Sequence, residues 1–153
     1  PERSIEMQRA INSDIMMVLD QCVPSLSDRR RTEEAMHLTH RWAERSLAAR
    51  GDSLQAMFGI VQGGIYPDLR RESAARITEL PFEGFALGGL AVGEEKSVRD
   101  EIVAYAAELL PVDRPRYLMG VGTPIDLLES VARGIDMFDC IIPTAYAEQG
   151  VCF

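Results

Sequence analysis

The sequence predicts an α/β fold with a parallel sheet, built as part of a barrel. Three observations point there. Short, almost continuously apolar segments each run into a glycine-rich or polar tip and then into a stretch carrying helix-start signals; this unit repeats about four times; and no hairpin turn joins one apolar segment to the next. Apolar residues at successive positions are what a strand needs when both of its faces are covered. An open doubly wound sheet and a barrel both satisfy the pattern, and both bind ligands at the C-terminal strand ends. A closed barrel takes about 250 residues and eight strands. The 153 residues here carry about five strands, so residues 1–153 read as a single partial barrel domain that begins and ends inside a larger enzyme.

Residues 1–11 read as a helix with Pro1 at its entry and Ile5 and Ile11 as its apolar positions, leading into a strand over 14–19 that Asp20 ends. Gln21, Cys22, Val23 and Pro24 leave that strand. Asp28 is the N-cap of a long helix to residue 50, with Ala35, Leu38, Trp42 and Leu47 as its stripe and Gly51 at its close. Arg29, Arg30 and Arg31 in its first turn oppose the helix dipole and read as a solvated edge, with a phosphate contact as the alternative. The second strand spans 56–61 and breaks at Gln62-Gly63-Gly64. Pro67 opens the next helix, with Leu69, Ser73, Ile77 and Leu80 on one face and Pro81 as its stop. Residues 84–87 form a third strand ending in Gly88-Gly89-Leu90-Ala91-Val92-Gly93-Glu94. Ser97 with Asp100 then resembles a capping box ahead of Val98, Ile102, Ala106 and Leu109. The fourth strand, 116–119, stops at Gly120-Val121-Gly122. Thr123, Pro124 and Asp126 supply an N-cap, an N1 proline and an acidic N3 for a short helix that ends at Gly134. The fifth strand is the apolar run 137–142, ended by Pro143 and interrupted by Asp139. A carboxylate buried there loses several kcal/mol of solvation unless paired, so Asp139 is either tied to backbone amides or kept for function.

Composition narrows the classes. With 24 acidic against 16 basic residues and a net charge of −8, the chain is not a general polyanion binder, and any nucleic-acid contact has to be local. No run of eighteen apolar residues and no leader pattern is present, so a cytoplasmic protein with no membrane contact is expected. Cys22, Cys140 and Cys152 are odd in number and form no C-x-x-C pair, which indicates neither a disulfide framework nor a metal site; Cys22 and Cys140 read as small buried residues. None of the tips carries G-x-G-x-x-G or a Walker lysine.

The tip residues suit a planar ligand with a donor edge and an acceptor edge. Asp20 accepts two N–H groups side by side, Gln62 and the Gly89 N–H donate to a carbonyl, and Met119 lies against a flat ring. Guanine has those edges. The blander readings are Met119 as core and Gly88-Gly89 as a turn. A carboxylate such as Asp139 near an anomeric carbon acts as a nucleophile and forms a covalent glycosyl-enzyme. An acid or base to move the proton has no clear candidate in the chain.

Phe58-Gly59-Ile60-Val61-Gln62-Gly63-Gly64, Gly88-Gly89-Leu90-Ala91-Val92-Gly93-Glu94, Tyr117-Leu118-Met119-Gly120-Val121-Gly122 and Gly134-Ile135-Asp136-Met137-Phe138-Asp139-Cys140, in this order, closely resemble the queuine/archaeosine tRNA-ribosyltransferase family, its bacterial tRNA-guanine transglycosylases in particular. The resemblance implies a (β/α)8 TIM barrel of which this chain is the C-terminal part. It implies a small lobe holding one structural zinc per full-length subunit, outside this chain, with no cofactor within it. The implied reaction exchanges the wobble guanine of tRNA for 7-aminomethyl-7-deazaguanine in queuosine biosynthesis. The implied partners are tRNA, guanine and 7-deazaguanine bases, and a second copy in a homodimer. By the same resemblance Asp139 is the nucleophile on the ribose C1′, and Asp20 accepts the N1 and N2 hydrogens. Gln62 and the Gly89 N–H face O6, with Gly88 beside them, the Leu90 carbonyl takes the aminomethyl ammonium, and Met119 stacks. Cys22 and Cys140 line the pocket, and Val92 points to the bacterial substrate over the bulkier queuine.

Two departures stand out. Gln21 replaces a usual acidic residue, and Thr144-Ala145-Tyr146-Ala147-Glu148-Gln149-Gly150 replaces a Thr-Arg-Ser-Gly-Arg-Asn-Gly pattern whose arginines contact the anticodon loop. The alternatives are therefore a non-catalytic tRNA-binding accessory subunit of the same fold, or a relative modifying another RNA or DNA. These 153 residues alone are expected to be inactive, with an open barrel edge.

Overall fold

A computed structural model describes residues 1–25 and 27–152. Among the described residues eleven elements alternate: α1 (Glu2–Ile11), β1 (Ile15–Met17), α2 (Arg29–Arg50), β2 (Ala56–Val61), α3 (Pro67–Thr78), β3 (Gly84–Leu87), α4 (Lys96–Glu108), β4 (Arg116–Leu118), α5 (Pro124–Ala132), β5 (Met137–Phe138) and α6 (Ile142–Glu148). The five strands form one parallel sheet in the order β1-β2-β3-β4-β5. A doubly wound sheet reverses its strand order partway; this one never does, so successive right-handed crossovers lay the helices in one layer. Neighbouring helices accordingly pack in sequence, α1 on α2, α2 on α3, α3 on α4 and α4 on α5. The fold is a five-stranded half-barrel. Its core runs from Met16 and Val18 through Met57, Ile60, Phe85 and Leu87 to Leu118 and Ile135, with Ile77 and Ala106 from the helices.

The helix starts follow the sequence. Asp28 accepts the Arg31 N–H at 2.8 Å, and Thr123 Oγ1 accepts the Asp126 N–H at 3.3 Å while donating to its carboxylate at 2.6 Å. Arg29 and Arg30 are exposed and pair with Asp68 and Glu34, as a solvated edge would.

Other expectations are corrected. The capping box at Ser97 does not form: α4 starts at Lys96, and Asp100 is taken by Lys96 and Arg99. The buried face of α2 matches the expected stripe only in part, since Ala35 is buried and Leu47 packs half-buried against the core while Leu38 and Trp42 are half-buried. Its buried residues are Thr32, Ala35, Met36, Thr39, His40, Ala43 and Ser46, because the helix meets polar partners. Thr39 accepts the Gln21 N–H at 2.9 Å, and His40 Nε2 lies 3.0 Å from Ser73 Oγ. Ile11 is exposed while Ile5 is buried. Strands expected over 14–19 and 116–119 are shorter by one to three residues.

The largest correction concerns the fifth strand. It is not a buried run to residue 142. β5 ends at Phe138, Asp139 is exposed, and α6 begins at Ile142 with Pro143 in its first turn. Proline fits the first turn of a helix as readily as the end of a strand. β5 has β4 as its one partner in the sheet, which leaves Met137 and Phe138 only half-buried.

Candidate functional site

Parallel strands bring their C-terminal ends to one rim. Asp20 follows β1, Gln62 follows β2, Gly88 and Gly89 follow β3, Met119 follows β4 and Asp139 follows β5. Between them lies a cavity of about 330 Å³ lined by Asp20, Cys22, Gly88, Gly89, Leu90, Ala91, Val92, Met119, Gly120 and Asp139. That volume falls in the range of small-molecule sites, roughly 300–1,000 Å³. Gln62 and Cys140 are not among its lining residues. Gln62 is buried beneath, and Cys140 lines a neighbouring depression with Asp139, Ile141, Thr144, Ala145 and Glu148.

Asp20 is held by its neighbour across the sheet. Gln62 Nε2 donates to Asp20 Oδ2 at 2.6 Å, and the Gln62 N–H donates to Ser73 Oγ at 3.1 Å. Burial raises the Asp20 carboxyl above the ordinary carboxylate range, and the Gln62 hydrogen bond partly opposes this. The glycines are required by the same contact. A Cβ on Gly89, at φ +67°, would fall 2.2 Å from Gln62 Oε1, and one on Gly88 would fall 2.7 Å from Gln62 Nε2.

Asp139 is fixed by two donors. Its Oδ1 accepts the Tyr117 hydroxyl at 2.7 Å and the Gly120 N–H at 2.7 Å. Burial, and then the Asp139 hydrogen bond, push the Tyr117 phenol well above its ordinary range, so it remains a donor at neutral pH. With both bonds on Oδ1, Oδ2 is the oxygen free to face a ligand. Cys22 and Cys140 are not the buried residues expected: Cys22 is exposed and Cys140 half-buried, both being in tip loops rather than strands. Although its surface is exposed, partial desolvation of its sulfur and then the Asp20 charge, with Glu94 adding and Arg70 opposing, push the Cys22 thiol up, which favours the protonated thiol.

Three residues without an expected role complete the site. Tyr117 orients Asp139. Glu94 accepts the Ala91 and Val92 N–H groups, the latter at 3.1 Å, and so closes the loop after β3 around Ala91, which takes φ +58°. Arg70 on α3 is fully buried and donates only to backbone carbonyls. Its Nε reaches Gly64 at 2.8 Å, Nη1 reaches Val61 at 2.9 Å and Gly88 at 2.8 Å, and Nη2 reaches Gly89 at 3.4 Å. Burial lowers it to about 10, still charged at neutral pH. A cation on the stripe of Leu69, Ser73 and Ile77 was the available signal.

Among the described residues, one acidic group could hold a cation, Asp100 with Asp126 and Glu129. Lys96 and Arg99 already neutralise it, so it fits an ion-pair network between α4 and α5. No described helix is long and apolar enough to cross a membrane.

The family model described as Queuine tRNA-ribosyltransferase matches residues 1–153. Curated proteins named queuine tRNA-ribosyltransferase are similar along the whole chain. That of Solidesulfovibrio magneticus is 56% identical over 155 residues, covering 100% of this chain and 42% of the relative. Those of Nitratidesulfovibrio vulgaris and Thermoanaerobacter sp. are 50% and 52% identical, with 100% of this chain and 41% of each relative covered. The chain thus spans about two fifths of the length of the relatives it matches.

Proposed function

This chain belongs to the queuine tRNA-ribosyltransferase family, and from that premise we propose that it is the C-terminal half of a (β/α)8 barrel in a tRNA-guanine transglycosylase. The observation that carries this reading is the convergence of Asp20, Gly89 and Asp139 on one cavity. Asp20 accepts the N1 and N2 hydrogens of guanine, the Gly89 N–H donates to its O6, and Met119 lies on the ring face. Gln62 serves Asp20 first, since its Nε2 is already given to that carboxylate.

Asp139 Oδ2 attacks the ribose C1′ as the C1′–N9 bond breaks, and the bond pair leaves on the base, which takes up a proton. The covalent ribosyl-Asp139 ester then meets 7-aminomethyl-7-deazaguanine in the same pocket. That base attacks C1′ through N9, loses its N9 proton, and releases the carboxylate. Val92 lines the cavity, and by the family resemblance a valine there favours the smaller 7-aminomethyl substituent over the bulkier queuine. The acid/base group, the zinc lobe, the homodimer contact and cytoplasmic placement in queuosine biosynthesis belong to this proposal for the whole protein. Ala145 and Glu148 stand where the resemblance expects arginines, so the RNA contact beside Asp139 carries two fewer cations and one added carboxylate.

The test uses the full-length protein, tRNA and radiolabelled guanine. Label enters the tRNA, and Asp139→Ala lowers incorporation by at least about a thousandfold and abolishes the covalent RNA adduct. An adduct that persists in Asp139→Ala removes that residue from its role.

A further inference from the structure

Among the described residues Arg70 is the one fully buried cation, and it donates to the carbonyls of Gly88 and Gly89, which line the cavity. Its guanidinium joins the ends of β2 and β3, since Nη1 donates both to Val61 O, which also accepts the Gly88 N–H at 3.1 Å, and to Gly88 O. A cation in such a place is costly unless its hydrogen bonds are satisfied. Here carbonyl dipoles satisfy them. A neutral side chain would close the same gap between strands at lower desolvation cost, so the charge calls for a reason beyond packing.

The peptide between Gly88 and Gly89 supplies one. In a trans peptide the C=O and N–H point in opposite directions. Gly88 O faces Arg70 at 2.8 Å, so the Gly89 N–H points away from it, and Gly88 and Gly89 both line the cavity. No hydrogen bond within the described residues uses that N–H. Donation to a carbonyl strengthens the N–H of the same peptide as a donor, because hydrogen bonds in series polarise one another. We propose that Arg70 is a positioning residue that orients and polarises the Gly88–Gly89 peptide, so that its N–H binds a carbonyl oxygen of the ligand base and holds the charge that builds there when the base leaves.

This rests on the guanine reading of the cavity, and the test separates the two. In the full-length protein, Kd is measured for guanine and for 2-aminopurine, which lacks the 6-carbonyl. Its weaker contact with Asp20 is common to wild type and variant and cancels in the ratio. Arg70→Lys keeps a charge but loses the fork that spans Gly88, Val61 and Gly64. The expected result is a guanine Kd about tenfold weaker with the 2-aminopurine Kd changed by less than about twofold. A loss that is equal for both ligands makes Arg70 a purely structural tie and overturns the inference. Absence of guanine binding to the wild type overturns the guanine reading itself. Where Arg70→Lys does not fold, wild-type protein labelled at arginine Cζ carries the test: the signal of the slowly exchanging buried guanidinium moves with guanine and not with 2-aminopurine. A signal that moves equally with both, or with neither, overturns it.

Discussion

On the proposed guanine reading, Asp20 couples base binding to pH. Only the ionised carboxylate offers an acceptor on each oxygen to two N–H groups side by side, and burial holds the Asp20 carboxyl above the ordinary range. Guanine affinity therefore falls as pH drops through that raised pKa, at a higher pH than an ordinary aspartate would give. Asp20→Asn should weaken guanine binding by about 10- to 100-fold at neutral pH, the worth of a charged hydrogen bond, and remove the acid-side fall. The stability sign is opposite. A carboxylate whose pKa rises on folding destabilises the native state above that pKa, so Asp20→Asn should raise the melting temperature at pH 7. Calorimetric titration and thermal unfolding check the two halves. The position of Asp20 was legible as a polar stop to an apolar run; the Gln62 contact, 42 residues away, was not.

Among the elements, β2 and β3 match their expected bounds, and α2, α3 and α5 begin at the residues their caps indicated. After Phe138 the sequence pattern and the structure diverge, because Ile141 and Ile142 continue an apolar run that belongs to the start of α6 and not to β5. α6 is exposed along most of its length and carries Ala145 and Glu148 beside the depression next to Asp139. On the proposed tRNA reading, two cations there would face the nucleic-acid backbone. The pair Ala145→Arg with Glu148→Arg is expected to tighten tRNA binding and steepen the fall of log K with log salt by about 1 to 2 units, as one or two added phosphate contacts require. Filter binding across a salt series measures it, and an unchanged slope would show that α6 does not touch the RNA.

At the scale of the molecule, His40 joins α2 to α3 through Ser73, which in turn holds the Gln62 backbone at the end of β2. Burial, then the nearby His37, push His40 down to about 4, with Glu72 and Glu44 opposing and Arg76 assisting. An unfolded histidine takes its proton near pH 6.5. Stability should therefore begin to fall as pH drops below about 6.5 and this contribution should level off near 4. His40→Gln is expected to flatten that segment of the full-length protein's stability curve; parallel curves for variant and wild type would contradict it. β1 and β5 are the two edges of the half-barrel, each paired on one side. What the sequence alone determined is the repeating unit, the strand tips with their uncommon residues, and the capped helix starts, because these rest on contacts between near neighbours. Only the tertiary structure decided that Asp139 is exposed and fixed through Oδ1, that Gln62 serves Asp20, and that Arg70 lies buried behind Gly88. Each depends on which distant tips the unreversed sheet brings together, and local periodicity carries no record of that.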